Sequence, residues 1–368
     1  MTDHAIKVCF YCADQNPHRD RSLGITNYTA GLLRHLHENN SVGLQAVVSK
    51  SSAVVPDEIP KTVLPFRTDH VPGRLLADHF HALLIGSKID ADIWHYPKGF
   101  VPFGSQVRQP KVGTVADTII QFYADHYPQS RSRAGFAYWI AMLKNAIRRF
   151  DVILTVSDFS KRSILEFADR HRLKKPNVVV TYQGVDVEET SAEEKENYVL
   201  HLASAQPHKR TNWLLNEWSK LELSDRALRL RLIGHVDRAG RELAASAKNV
   251  ELLPPMSRSE LGQVMKSARA LILPSEIEGF GLPALEAYYS GTPVAYVKGT
   301  AVEEIVGFNI PGAFTFDEWS FSNALNEVLK LNASEIDLKR VELQERFAWS
   351  NCTERTMKAY RSLITTTV

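Results

Sequence analysis

Cysteine is scarce in this sequence: Cys9, Cys12 and Cys352 are the three among 368 residues. So few thiols exclude a disulfide framework and fit a reducing compartment. Cys9 and Cys12 form a C-x-x-C, but no second pair exists to complete a zinc site. Both fall in the apolar run 6–13, where packing is the simpler role. An excess of one charge is missing too, since 44 Lys and Arg stand against 42 Asp and Glu. A net charge of +2 argues against a dedicated nucleic-acid binder. No apolar run approaches the ~20 residues of a membrane-spanning helix. The start, MTDHAIKV, lacks the basic segment and long apolar segment of a secretory leader. The expectation is a cytoplasmic protein, or one peripheral at the inner face of the plasma membrane.

A hydrophobic share of 44% with 23% charged residues is that of an ordinary globular chain. Its length exceeds what one core usually holds, so two domains are expected. Strand-like apolar runs at 6–13, 44–48, 93–96, 111–115, 152–156 and 178–181 alternate with helical patterns. The alternation resumes at 198–202, 228–233, 250–252, 271–273 and 294–297. Such a rhythm predicts the α/β class, with parallel sheets covered by helices. The charged, serine-containing run 188–196 reads as a linker. It places a first domain at 1–187 and a second at 188–349, with a last helix in 350–368.

The most informative stretch is 271–304. Leu271-Ile272-Leu273 ends at Pro274 as a buried strand would. A polar loop, 275–281, follows, with glycines at 279 and 281. Pro283 then opens a helix, where its missing N–H costs nothing, and Gly291 and Pro293 stop it. Strand, glycine-bearing loop and helix N-terminus in succession make an anion site, because unpaired N–H groups and the positive dipole end face the loop. Two carboxylates bracket it, Glu278 and Glu286. Carboxylates beside an anion are costly unless they accept hydrogen bonds, and sugar hydroxyls are natural donors.

The segment Glu278-Gly279-Phe280-Gly281-Leu282-Pro283, continued to Glu286, resembles the signature of the retaining GT-B glycosyltransferases of family 4, the group 1 glycosyl transferases. The resemblance covers nearly the whole chain and is sharpest over 198–306. It implies two Rossmann-like domains facing a central cleft, with the C-terminal helix crossing back to the N-terminal domain. It also implies a nucleotide-sugar donor and no metal or other cofactor. Glu278 would hold donor-sugar hydroxyls, and Glu286 would grip the ribose. Phe280, Gly281 and Leu282 would offer amides to the diphosphate. In Ser204-Ala205-Gln206-Pro207-His208-Lys209-Arg210, Lys209 matches the family's phosphate-binding lysine and Arg210 is a reserve. The arginine that members often carry a few residues earlier is absent. Gly24 belongs to a segment similar to the family's first glycine-containing loop.

Other candidates come from position. His95-Tyr96-Pro97-Lys98-Gly99 follows a strand at the carboxyl edge, where open α/β sheets take ligands, so His95 and Tyr96 are expected to touch the acceptor. Val115-Ala116-Asp117 ends another strand at the same edge. Many members have His-Asp here, and Ala116 replaces that histidine, leaving Asp117 and then His126 as candidates near the reacting centre. Asp117 serves equally well as a helix cap. Asp90-Ala91-Asp92 has the form of a metal motif but sits at a turn into a strand, where Asp is ordinary turn chemistry. The basic run 131–175 includes Phe136, Tyr138 and Trp139. It could touch anionic lipid, although a solvated helix face is the commoner origin of such a pattern.

The resemblance implies transfer of a mannose- or glucose-type hexose to a saccharide or lipid-linked saccharide, as in surface polysaccharide or lipopolysaccharide synthesis. A nucleotide-sugar epimerase, or a protein that binds nucleotide sugars without turnover, would share the motif.

Overall fold

The computed structural model describes residues 5–15, 23–39, 42–50, 54–104, 106–186, 194–221, 227–307 and 310–365. The linker expected at 188–196 and the loop before Gly24 lie largely outside them. The chain divides into two compact units, Met1–Gly184 with Phe347–Val368, and Val185–Arg346. These boundaries fall three residues before those expected at 187/188 and 349/350.

The first unit runs β1 (Ile6–Tyr11), α1 (Leu23–Glu38), β2 (Val42–Ser49), β3 (Lys61–Leu64), α2 (Val71–Ile85), β4 (Ile93–Tyr96), β5 (Lys111–Thr114), α3 (Ile119–His126), α4 (Arg133–Arg149), β6 (Val152–Thr155), α5 (Asp158–Arg170) and β7 (Val178–Val180). Its seven strands lie in the order β3-β2-β1-β4-β5-β6-β7, every pair parallel. β4 and β6 are buried at all four positions, which is why they read as unbroken apolar runs rather than alternating ones.

The second unit runs β8 (Tyr198–Ala203), α6 (Thr211–Lys220), β9 (Arg229–Gly234), α7 (Arg238–Ser246), β10 (Val250–Leu253), α8 (Arg258–Ser267), β11 (Ala270–Leu273), α9 (Leu282–Tyr289), β12 (Val294–Val297), α10 (Ala301–Val306), β13 (Ala313–Phe314), α11 (Glu318–Lys330) and α12 (Ala333–Arg346). Its parallel strands lie in the order β10-β9-β8-β11-β12-β13. α8 begins on a capping box, with Ser257 and Glu260 each bonded to the other's backbone N–H.

The last helix, α13 (Trp349–Thr365), returns to the first unit and packs on α1. Trp349 makes that packing possible only against bare backbone. A Cβ on Gly31 would lie 2.1 Å from the indole, and one on Gly184 would lie 2.2 Å from it. Deeper along α13, Tyr360 is fully buried and its hydroxyl lies 2.6 Å from His95 Nδ1. No described helix is long and apolar enough to cross a membrane.

Tyr360→Phe should leave one buried nitrogen of His95 without a partner and cost about 1–3 kcal/mol. The check is a denaturant titration, in which the first unit's transition moves to lower denaturant.

Candidate functional site

In the second sheet the crossover from β8 goes to β9 and that from β11 goes to β12, so the chain departs in opposite directions from two neighbouring strands. The crevice outside the carboxyl ends of such a pair is where open α/β sheets take ligands. Residues 204–210 leave β8 there and 274–281 leave β11.

Buried polar groups fix both loops. His201, near the end of β8, is fully buried, and burial pushes its imidazole down to about 4, so it is neutral. Its Nδ1 therefore donates to the Ile272 carbonyl at 3.0 Å, and its Nε2 accepts from the Thr211 hydroxyl at 3.0 Å. Thr211 Oγ1 in turn accepts from the Ser204 amide at 3.2 Å. The Glu276 amide donates to the His208 carbonyl at 2.8 Å, which joins the two loops directly.

With the loops joined, Lys209 Nζ donates to Glu278 Oε1 at 2.5 Å. The Glu278 side chain is 13% exposed, and the Lys209 side chain 25%. Burial works against ionisation of Glu278, but the Lys209 ammonium, with help from the Ser275 hydroxyl, holds the carboxyl below its ordinary range. Arg210 follows at φ 52°, with its guanidinium 5.1 Å from the Phe316 ring and Nε 3.4 Å from Glu276.

The turn into α9 needs glycine at 281. Its φ is +97°, and a Cβ there would meet Val302 Cγ2 at 2.8 Å and Val302 Cα at 3.3 Å. Phe280 is buried beneath the turn. Pro283 occupies the first turn of α9, as read from the sequence. The first amides of a helix have no intrahelical acceptor, so Gly281 and Leu282 sit where a bound anion is favoured. Gly279 lies on the same loop between Glu278 and Phe280. Glu286, one turn further along α9, is partly exposed, with Arg258 NH2 3.6 Å away. A pocket formed by Asp186, Arg258, Leu261, Met265, Glu286 and Tyr289 opens beside it. Arg258 escaped the sequence reading because it starts a helix distant in the chain, and nothing local marks it.

The first-unit candidates fare differently. His95 and Tyr96 are fully buried. His95 is engaged at both nitrogens, by Tyr360 and by Thr114 Oγ1 at 2.8 Å, and burial pushes it down to about 3. The Tyr96 hydroxyl lies 3.1 Å from His81 Nε2. The acceptor role expected of both is therefore corrected: they are core residues with their polar atoms satisfied. What reaches the carboxyl edge is Lys98, two residues later, whose Nζ donates to the Asp14 carbonyl at 3.1 Å. Asp117 accepts from the Ile119 amide at 3.0 Å, a turn contact two residues ahead; the N-cap of α3 is Thr118, so Asp117 does not take the capping position weighed above. His126 is exposed at the other end of α3, its ring 4.5 Å from Phe122. Gly24 is the second residue of α1, with open space around it. Asp90 and Asp92 are spent at the amino edge: Lys7 Nζ bonds Asp90, and the Lys7 amide bonds Asp92 at 2.8 Å.

Two parallel-sheet units, the second with a glycine turn, a helix N-terminus and a buried acid–base pair at its switch point, define a two-domain α/β protein of the GT-B glycosyltransferase fold. Sucrose-phosphate synthase of Thermosynechococcus elongatus matches it with a TM-score of 0.71 at 15% identity, over 98% of this chain and all of that one. The Anabaena protein HepE, solved with UDP-glucose, matches at 0.69 and 16% identity, over 97% of this chain and 100% of that one. O-antigen chain mannosyltransferase B of Escherichia coli is 28% identical over 291 residues, 74% of each chain. Residues 185–347, the whole second unit and one residue beyond it, match the family model "Glycosyl transferases group 1".

Gly281→Ala should strain the turn by about 1–3 kcal/mol and displace Val302. The expected readout is a lower melting temperature together with loss of affinity for nucleoside diphosphates in calorimetry.

Proposed function

We propose that this protein is a retaining, metal-independent hexosyltransferase. It moves a mannose- or glucose-type unit from a nucleoside-diphosphate sugar to a saccharide or lipid-linked saccharide acceptor in surface polysaccharide or lipopolysaccharide synthesis. The observation that carries this reading is the Lys209–Glu278 pair, held at the switch point beside the Gly281 turn. An ammonium and helix amides suit a pyrophosphate, and a carboxylate suits the hydroxyls of the sugar attached to it. The printed names of the Escherichia coli relative, an O-antigen mannosyltransferase, and of HepE with UDP-glucose lend support to the donor and pathway class.

In the reaction, the bond between the anomeric carbon and the phosphate oxygen breaks as that carbon bonds the acceptor hydroxyl on the same face. The acceptor's proton passes to the departing phosphate oxygen, so Ala116 can stand without a base. Charge accumulates on the diphosphate during this step. Lys209 and the amides of residues 280–282 stabilise it, and one such oriented donor contributes roughly 3 kcal/mol. Glu278 orients the sugar through its hydroxyls. Glu286, with Arg258 NH2 3.6 Å away, accepts from the ribose. Asp117 stands at the carboxyl edge of the first sheet.

A thermal-shift screen against GDP-, UDP- and ADP-sugars, followed by turnover with saccharide acceptors, tests the reading. Stabilisation by one donor and product of unchanged anomeric configuration are expected with chelator present. Inverted product, or isomerised sugar without an acceptor, refutes it.

Lys209→Ala should lower kcat/KM by roughly 10²–10³ through loss of a charge contact made in the transition state. Steady-state kinetics checks this, with a melting curve to confirm that the buried Glu278 has not unfolded the loop. Glu286→Ala should weaken donor binding about tenfold by removing a charged hydrogen-bond acceptor. Calorimetry with the intact donor reads it directly.

A further inference from the structure

The first unit has a switch point of its own. From β1 the crossover goes to β2 and from β4 it goes to β5, so the chain leaves these two neighbouring strands in opposite directions. The crevice outside their carboxyl ends is where such a sheet takes a ligand. Lys98 is presented there on a fixed turn. The Gly99 amide donates to the Tyr96 carbonyl at 3.0 Å, and Gly99 stands at φ +74°, where a Cβ would meet the Thr114 carbonyl at 2.7 Å. The chain beyond is held as firmly, since buried Asn145 of α4 donates from Nδ2 to the Val101 and Pro102 carbonyls, both at 3.0 Å.

What Lys98 lacks is a counter-charge. Its half-buried ammonium donates to the Asp14 backbone carbonyl at 3.1 Å and forms no ion pair among the described residues. Lys209, at the matching place of the second sheet, has Glu278. Two carboxyls stand near Lys98, and neither takes its proton donors. Asp14 Oδ1 is buried without a hydrogen-bond partner among the described residues. Asp78 accepts from the Tyr11 hydroxyl at 3.0 Å and lies 3.9 Å from Arg74 Nε. Burial raises both carboxyls, against the lowering pull of Lys98 and Arg74. Tyr11 and Cys12 of β1 and Tyr138 of α4 also face them, and burial keeps these groups neutral. Carboxyls that retain their protons leave the positive charge of Lys98 and Arg74 uncompensated. Beside these cations stand two half-buried rings: Phe100 lies 5.2 Å from Trp139, whose ring is 5.9 Å from the Arg74 guanidinium. Such rings supply apolar contact area, which the C–H face of a sugar can cover.

We propose that the crevice between β1 and β4 binds the acceptor through a negatively charged group, a sugar carboxylate or a phosphate, with Lys98 as the principal contact and Arg74 as the second. The inference rests on the transferase reading and adds to it the charge of the acceptor. Ammonium and guanidinium both suit either anion.

Calorimetry of the full chain with methyl mannoside, mannuronic acid and mannose 6-phosphate, each at saturating nucleoside diphosphate, tests it. The nucleotide fills the phosphate site of the second unit, so the sugars report on the first. At least one anionic sugar should bind roughly tenfold or more tightly than the neutral one, as a charged hydrogen-bond partner provides. Which of the two does so separates an acidic from a phosphorylated acceptor. Lys98→Gln should abolish the preference and Lys98→Arg should keep most of it, with a melting curve for each. Raising the pH through the ionisation of Asp14 and Asp78 should weaken binding of mannuronic acid, as like charge gathers around it. A wild type that binds all three sugars alike, or none, overturns the inference, and turnover with a neutral acceptor then leaves the transferase reading standing. Loss of nucleoside-diphosphate affinity in Lys98→Gln assigns the lysine to the donor and overturns it as well. A wild type that binds no nucleoside diphosphate refutes the transferase reading and this inference with it.

Discussion

One ion pair governs the second unit. Lys209 and Glu278 come from loops 69 residues apart in the chain and meet at 2.5 Å where water is largely excluded. Taking two charges out of water costs about as much as their attraction returns, so a buried pair is a poor device for stability alone. Its surroundings are nonetheless built to keep it. His201 is neutral and pins both strands and the start of α6, and the Glu276 amide ties one loop to the other. Gly281 supplies a left-handed turn that no side chain could occupy without moving Val302. The two charges neutralise each other. A ligand with an anionic end and a hydroxylated end can take one partner with each end and hold both in place, which gives the arrangement its use.

Much of this site was legible before folding because its parts are adjacent in sequence. Pro274, Gly279, Gly281 and Pro283 mark strand end, turn and helix start within ten residues, and each marker acts locally. The strands were legible for a related reason: central parallel strands are apolar on both faces. β3 and β13 were not read. The first is four residues between Pro60 and Pro65, and the second is two residues long. Their identity as strands comes from the neighbour they pair with. His95 and Tyr96 were misplaced by the same logic run backwards. Polar atoms at a strand's end suggest a ligand, but here Tyr360 of α13 and His81 of α2 satisfy them from elements far along the chain. Lys98, just past the strand, is the residue the edge presents.

The basic run 131–175 drew attention in sequence while α2 passed unnoticed, and the cause is physical. In Leu75, Leu76, Leu83, Leu84 and Ile85 nothing local says which face meets water. Only the fold shows that Gly73, Ala77, His81, Ala82 and Ile85 take the inner positions. The leucines are then left outside. Within the basic run, Lys144 faces His171 of the first unit.

The two sheets share one topology and use it in electrostatically opposite ways. At the second switch point the lysine prevails and Glu278 stays ionised. At the first, the corresponding loops after β1 and β4 bring Asp14 and Lys98 together, with Asp78 of α2 nearby. There burial prevails over Lys98 and Arg74, and the carboxyls of Asp14 and Asp78 are both raised above the ordinary range. Lys98 explains part of the difference, since its ammonium donates to the Asp14 carbonyl oxygen rather than to a carboxylate. A direct ion pair offsets desolvation, and a neighbouring carboxylate adds to it. The same strand order therefore carries an ionised pair in one unit and carboxyls raised by burial in the other, with the placement of one lysine contributing to the difference.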